Sequence, residues 1–262
     1  MLAHRWKLGL LAGLGIALFL GFTALGVWQV QRRAWKLDLI ARVTQRVQAE
    51  PVALPPVAGW READAARFEY QAVHLHGQWL ADKTVLTQAS TVLGAGYWVL
   101  TPLQQADGTQ VLVNRGFVPE TQRAQWLTPG TAAEAPVDVV GLLRMSEPGG
   151  GFLRRNDPAQ QRWHSRDVAA IAQSLQLRHA APFFVDAGIP RLQNGATAEL
   201  PPTATTWPQP GLTVVRFSNS HLVYALTWFG LALMVAGAAV LVARYERRRR
   251  TAAPLASHDQ RH

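Results

Sequence analysis

Two long apolar blocks decide most of what this chain can become. Residues 8–30 and 222–243 carry no charged side chain over 23 and 22 positions. A helix rises about 1.5 Å per residue and a bilayer holds roughly 30 Å of hydrocarbon, so about 20 apolar residues suffice to cross it. Both blocks qualify, and the expectation is two transmembrane helices, at 8–30 and 221–243. The stretch between them, 31–220, is polar enough to fold in water. Without its linkers it leaves roughly 180 residues, enough to bury a core of its own. Segments 1–7 and 244–262 are then short tails on one side, because two crossings return the chain to where it started.

The formal charge of +9 is concentrated in those tails. Outside 31–220, eight basic residues (Arg5, Lys7, Arg244, Arg247, Arg248, Arg249, Arg250 and Arg261) stand against Glu246 and Asp259, while the middle holds 18 basic and 15 acidic residues. Basic flanks stay on the cytoplasmic side. The expected topology therefore has both termini cytoplasmic and the central domain periplasmic. Arg32, Arg33 and Lys36 oppose it, and the C-terminal cluster outweighs them. Trp6 and Trp28 bracket the first block, and Tyr224, Trp228 and Tyr245 lie toward the ends of the second, as interfacial aromatics do. A basic tail that abuts a span reads as a topology signal and a contact for anionic lipid, so no nucleic-acid partner is expected. The first block exceeds the roughly 7–15 residues of a signal-peptide core, and no A-x-A site follows it. It is expected to stay as an anchor. It begins too early to follow an Arg-rich transit peptide, which points to a bacterial inner membrane. With no cysteine in the chain, disulfides, thiol catalysis and Cys-ligated metals are excluded.

After the first span the helical pattern continues to Gln48, with Ile40, Val43 and Val47 at helical spacing, until Pro51, Pro55 and Pro56 end it. A second Pro-rich stretch, 201–210, precedes the second span. Between these linkers the pattern reads mainly as strand: 68–79, 84–87, 97–103, 111–117, 137–143, 183–185 and 212–217. Asp107-Gly108 is a hairpin turn signal. Ser165 is placed to cap a helix over 166–177, whose apolar face is Val168, Ile171, Ala172 and Leu175. The fold class expected is two transmembrane helices flanking an extracytoplasmic α+β domain, mainly antiparallel β (a sheet or partial barrel) with one helix.

No catalytic motif stands out: there is no G-x-S-x-G, P-loop or H-E-x-x-H, and no acid/base pair. An enzyme is not expected. His74 and His76 share one strand face, which fits the wet side of an amphipathic strand better than a metal site short of ligands. Arg115, inside an apolar run, either anchors a carboxylate or ends a strand in water. Asn156-Asp157-Pro158, followed by Trp163 and Asp167, reads as loop packing. His221, at the membrane edge, is either an incidental interfacial residue or an axial ligand of the kind haem iron takes.

Several of these segments, taken in order, resemble the surfeit locus protein 1 (Shy-like) family. They are Leu25-Gly26-Val27-Trp28-Gln29 with Arg32 and Trp35-Lys36; Val99-Leu100-Thr101-Pro102-Leu103; Val113-Asn114-Arg115-Gly116-Phe117-Val118-Pro119; Asn156-Asp157-Pro158 with Trp163; and Ser218-Asn219-Ser220-His221 running into Tyr224-Ala225-Leu226-Thr227-Trp228-Phe229-Gly230. Phe117 stands where many members have Trp, and the Ala/Pro-rich insert near Pro201 is peculiar to this chain. The resemblance implies an assembly factor, or chaperone, for haem-copper cytochrome c oxidase in respiratory-chain biogenesis. It implies haem a as cofactor, inserted into the large catalytic subunit, with His221 as iron ligand and no metal beyond the haem iron. Implied partners are the bilayer, the oxidase large subunit and the haem A synthesis enzymes. Arg216, or Arg32 or Arg33, is the expected partner of a haem propionate. Gly9 and Gly13, with Gly21 and Gly26, would let the two helices approach. The rival readings are an adaptor that holds an oxidase assembly intermediate without haem, and a two-span sensor, for which the tail after Arg250 offers little room.

Overall fold

Helix α1 runs without a break over Leu2–Gln48, because no proline interrupts the sequence before Pro51. At about 1.5 Å per residue it is roughly 70 Å long, more than twice a bilayer's hydrocarbon thickness. The helical pattern expected to continue past the first apolar block to Gln48 is therefore helix, and Val43 and Val47 in it are buried. The computed structural model describes residues 2–57, 60, 66–127, 135–151, 154–193, 196–197, 206–215 and 219–252. They divide into two units, Met1–Leu39 with Ser218–His262, and Ile40–Phe217.

The first unit is α1 as far as Leu39 and the C-terminal helix, His221–Ala252 in the sequence and α4 in chain order. Both are long and apolar enough to cross a membrane. Leu10, Leu11, Leu14, Ile16 and Leu20 on α1, and Leu233, Met234 and Leu241 on α4, are each more than half exposed. Helices apolar on all sides belong in hydrocarbon, where such side chains need no protein cover.

The second unit is built on β1 (Val52–Ala53), β2 (Ala72–Trp79), β3 (Val85–Thr91), β4 (Gly94–Gln104), β5 (Gln110–Pro119), β6 (Val137–Met145) and β7 (Ala180–Ala187). The sheet order is β1-β2-β6-β7-β5-β4-β3, with β2 also pairing β4. That extra pairing closes β2, β6, β7, β5 and β4 into a five-stranded partial barrel, all antiparallel except β5–β7. Closure rests on two residue pairs, Gln78 with Gln104 and Trp79 with Leu103. It requires a glycine: a Cβ on Gly77 would lie 2.3 Å from the Gln104 carbonyl oxygen. A separate hairpin pairs β8 (Leu192–Gln193) with β9 (Ala196–Thr197).

Successive side chains on β5 and β7 serve two cores. Val111, Val113, Phe183 and Val185 pack in one cluster with Val73, Leu75, Leu103 and Leu143. Leu112 and Phe184 pack in the other with Val85, Leu100, Trp163, Val168 and Ile171. Cover on both faces explains why these strands read as unbroken apolar runs.

Two helical expectations are corrected. The helix expected over 166–177 is α3, Val168–Ser174, and its cap is Asp167, whose carboxylate accepts from the Ala170 N–H. Ser165 is unavailable because its hydroxyl accepts from the Gly150 N–H and the Asn156 amide. A second short helix, α2 (Arg123–Leu127), joins it. The strand expected at 212–217 does not form over 212–215, and 216–217 lie outside the described residues. The reason is that β5 and β7 already have neighbours on both edges. The segment is instead tied by reciprocal backbone bonds between Gln209 and Phe117 and by the Gly211 N–H to Ala187.

The β4–β5 hairpin turns at Asp107-Gly108, as expected. Its Asp107 carboxylate accepts from both the N–H and the hydroxyl of Thr109. Those bonds, the hydroxyl's foremost, hold the Asp107 carboxyl below its ordinary value. A depressed folded value means the contribution is complete above the unfolded carboxyl's range, near pH 4, and is lost as pH falls through the folded value. An NMR titration should place the Asp107 midpoint below that of a solvent-exposed aspartate, and Thr109→Val should move it back upward.

Candidate functional site

His221 opens α4, and its Nδ1 lies 2.7 Å from Oε1 of Gln29 on α1, a residue 192 positions away in sequence. Gln29 is 8% exposed and His221 is half-buried. The helices meet through residues spaced at one and two turns from this pair. On α1 these are Gly26 and Phe22, and on α4 they are Ala225, Trp228 and Phe229. A Cβ on Gly26 would lie 2.6 Å from the Phe229 ring, so a glycine lets the ring seat. Phe22 stacks on Trp228 with centroids 5.7 Å apart and an interplanar angle of 26°. Ala225 and Ala232 are buried. The close approach expected of Gly26 is therefore real, whereas a Cβ on Gly9, Gly13 or Gly21 would meet nothing within 4 Å.

A Gln carbonyl oxygen only accepts, so a His facing it through Nδ1 donates there, and in the uncharged ring Nε2 is then the nitrogen with the free lone pair. Among the described residues, Nε2 of His221 has no hydrogen-bond partner. Two positions before it, the buried Oδ1 of Asn219 has none either. The arrangement can ligate a metal or accept a proton through Nε2. Farther along the same helices the pair encloses an apolar cleft of about 870 Å³ lined by Leu11, Gly15, Phe19, Val235, Ala239 and Ala243 among others.

The barrel carries a second polar constellation. Asp186 on β7 is 3% exposed and accepts four hydrogen bonds: from the Asn114 amide at 2.7 Å, Arg166 at 2.9 Å, the Thr213 hydroxyl at 2.9 Å and Arg144 at 3.2 Å. Arg166 also pairs with Glu147 through Nε and Nη2 and lies over the Phe184 ring. Arg144 lies over Tyr70 and 3.8 Å from Glu69. Burial alone would lower the Arg166 guanidinium, but the Asp186 and Glu147 carboxylates outweigh it and push it up. The Asp186 carboxylate takes all four of its bonds from within the protein, so the cluster ties strands together, and the buried Nε of Arg144 has no hydrogen-bond partner among the described residues.

The sequence candidates fall out as follows. Arg216 lies outside the described residues. Arg32 is exposed and stacks on Trp35 at 4.1 Å, while Arg33 is half-buried. His74 and His76 are both on the wet face of β2, with His76 Nδ1 2.9 Å from Asp138. Among the described residues no group of three His, Asp or Glu side chains is placed to hold a metal ion. Arg115 lies between the Trp79 and Trp126 rings, at 4.7 and 5.0 Å. Asn156 accepts from the His164 and Ser165 N–H groups and Asp157 caps the turn at Pro158, which is loop packing around a buried Trp163. Gln29, the partner of His221, was not singled out in the sequence. Its signal was there: apart from Thr23 it is the one hydrogen-bonding side chain besides Trp28 in 8–30, and polar groups inside a span need partners.

The SURF1 family profile matches residues 16–233, which takes in both Gln29 and His221. Surfeit locus protein 1 of Homo sapiens is 33% identical over 225 residues, covering 79% of this chain and 69% of the human protein. Its counterpart in Mus musculus is 34% identical over 227 residues, 79% of this chain and 67% of its own. A SURF1-like protein of Monosiga brevicollis is 34% identical over 220 residues, 79% and 78% respectively.

Proposed function

Because the chain belongs to the SURF1 family, we propose that it is a non-catalytic assembly factor for haem-copper cytochrome c oxidase that binds haem a and delivers it to the large catalytic subunit. It works in a bacterial inner membrane, with both termini cytoplasmic and the barrel periplasmic, oriented by Arg244 and Arg247–Arg250. The observation that carries the haem reading is the His221–Gln29 pair, in which Nδ1 faces the Gln29 carbonyl oxygen and Nε2 is left for a ligand where α4 begins. A haem supplies an iron that accepts one imidazole ligand, and a single ligand suits cargo that must leave again. The half-buried Arg33 lies one turn beyond Gln29 on the same face of α1, so we assign it, with Arg216, to the propionates. The cleft farther down the helices offers a hydrocarbon lining to the long apolar tail of haem a.

The test is the visible spectrum of the full chain purified in detergent from cells that make haem A. The expected result is a haem a Soret and α band in the wild type, with His221→Ala losing at least nine-tenths of the bound haem, about 1.4 kcal/mol or more in binding. Haem A retained unchanged by His221→Ala would remove His221 as the ligand. A colourless wild-type protein that co-purifies with an oxidase subunit would replace the carrier by the adaptor.

A further inference from the structure

Resting on the haem reading above, we propose that Gln29 is a positioning residue for His221: its side-chain carbonyl fixes the proton on Nδ1 and so reserves the Nε2 lone pair for iron. An uncharged imidazole carries one N–H, on either nitrogen. Only the form protonated at Nδ1 can ligate through Nε2. Oε1 of Gln29 has no hydrogen to give, and at 2.7 Å it selects that form before any ligand arrives. An acceptor on the nitrogen away from the metal also makes the imidazole a stronger donor to metal, because it draws the N–H proton and leaves more charge on the ring.

The placement is built. Gln29 is 8% exposed at the end of the charge-free stretch 8–30, where a buried amide without a partner is costly. Its burial follows from the Gly26–Phe229 contact one turn away, which draws the two helices together. Its neighbours Trp28 and Val30 are about half exposed, so the amide turns inward while adjacent side chains face outward. The pair is thus a product of helix packing, and Gln29 touches the ligand site only through the imidazole.

Three variants of the full chain in detergent test this, each titrated as apoprotein with haem A and followed by absorbance and by the midpoint potential of the bound haem. Gln29→Leu keeps the volume and removes the acceptor; it should bind haem A about 10–100-fold more weakly and raise the potential of what binds. Gln29→Glu keeps an acceptor without an amide donor; it should bind within a few-fold of wild type and lower the potential. His221→Ala should bind least. Wild-type affinity and potential in Gln29→Leu would overturn the proposal while leaving the haem reading intact. Loss of haem in Gln29→Glu equal to that in Gln29→Leu would also overturn it, because the amide donor would then be the group that matters. Full binding by His221→Ala would overturn it too by removing His221 as the ligand, whereas a wild type that binds no haem A would overturn the haem reading beneath it. Should Gln29→Leu fail to accumulate, Gln29→Met is read the same way.

Discussion

Asp186→Ala should cost the barrel about 3–5 kcal/mol, the range for removing one member of a buried charged network. The carboxylate is nearly sealed from water and takes hydrogen bonds from Asn114, Arg144, Arg166 and Thr213. Removing it leaves two guanidiniums, each with only 12–14% of its side chain exposed, facing an empty site. Glu147 still holds Arg166, but Arg144 keeps only Glu69 at 3.8 Å. The loss is a fifth or more of the roughly 5–15 kcal/mol that stabilises a typical domain. Thermal or denaturant unfolding of the full chain in detergent, read by tryptophan fluorescence, should show it. Asp186→Asn keeps an acceptor oxygen and should lose less. Replacing Asp186, Arg144 and Arg166 together by apolar residues of similar volume should recover much of the loss, since no charge is then left unpaired. A single Asp186→Ala that unfolds like wild type would show that the cluster is not the tie it looks to be.

Gly116→Ala should cost about 2–4 kcal/mol, combining strain at a disfavoured backbone angle with overpacking against a fixed neighbour. Gly116 sits at φ +137° where β5 carries one residue more than β4: Val99 pairs with Gly116 and Leu100 with Asn114. This bulge is braced by Asn114, whose carbonyl oxygen accepts from the Gly116 N–H while its amide donates to Asp186. A Cβ on Gly116 would lie 2.4 Å from the Gln209 carbonyl oxygen and 2.8 Å from the Pro210 nitrogen. Both are backbone atoms of the strap over 206–215, so relief must come from moving the strap. Limited proteolysis should then cut within 206–215 faster than in wild type, alongside the lowered unfolding midpoint. An unchanged cleavage rate would place the strain elsewhere.

The same bulge shows why part of the fold was legible and part was not. The run from Val113 to Pro119 reads plainly as a strand, and Asp107-Gly108 as its turn, because both signals are local. That Arg115 leaves the strand line to lie against Trp79 and Trp126 depends on residues 36 before it and 11 after it, and that Asn114 turns inward to Asp186 depends on a strand over 60 residues later. Asp186 itself sits in Phe-Phe-Val-Asp-Ala and looks like the end of a short apolar run. Its four partners come from β5, β6, the loop before α3 and the strap, and no spacing in the sequence joins them. Likewise residues 212–215, Leu-Thr-Val-Val, are β-branched and apolar enough to suggest a strand, and only the full occupancy of both neighbouring strand edges denies them one.

What the sequence determined alone is whatever depends on short-range chemistry: two stretches too apolar for water, the basic flank after the second, a long helix ended by proline, most of the strands and the His at the head of α4. Tertiary structure decided the barrel's closure, the burial of Asp186 with its arginines and the meeting of Gln29 with His221. The physical reason is one of range. Hydropathy and backbone preference act within a few residues, whereas a hydrogen bond between positions 192 apart exists only once packing has brought two helices into register.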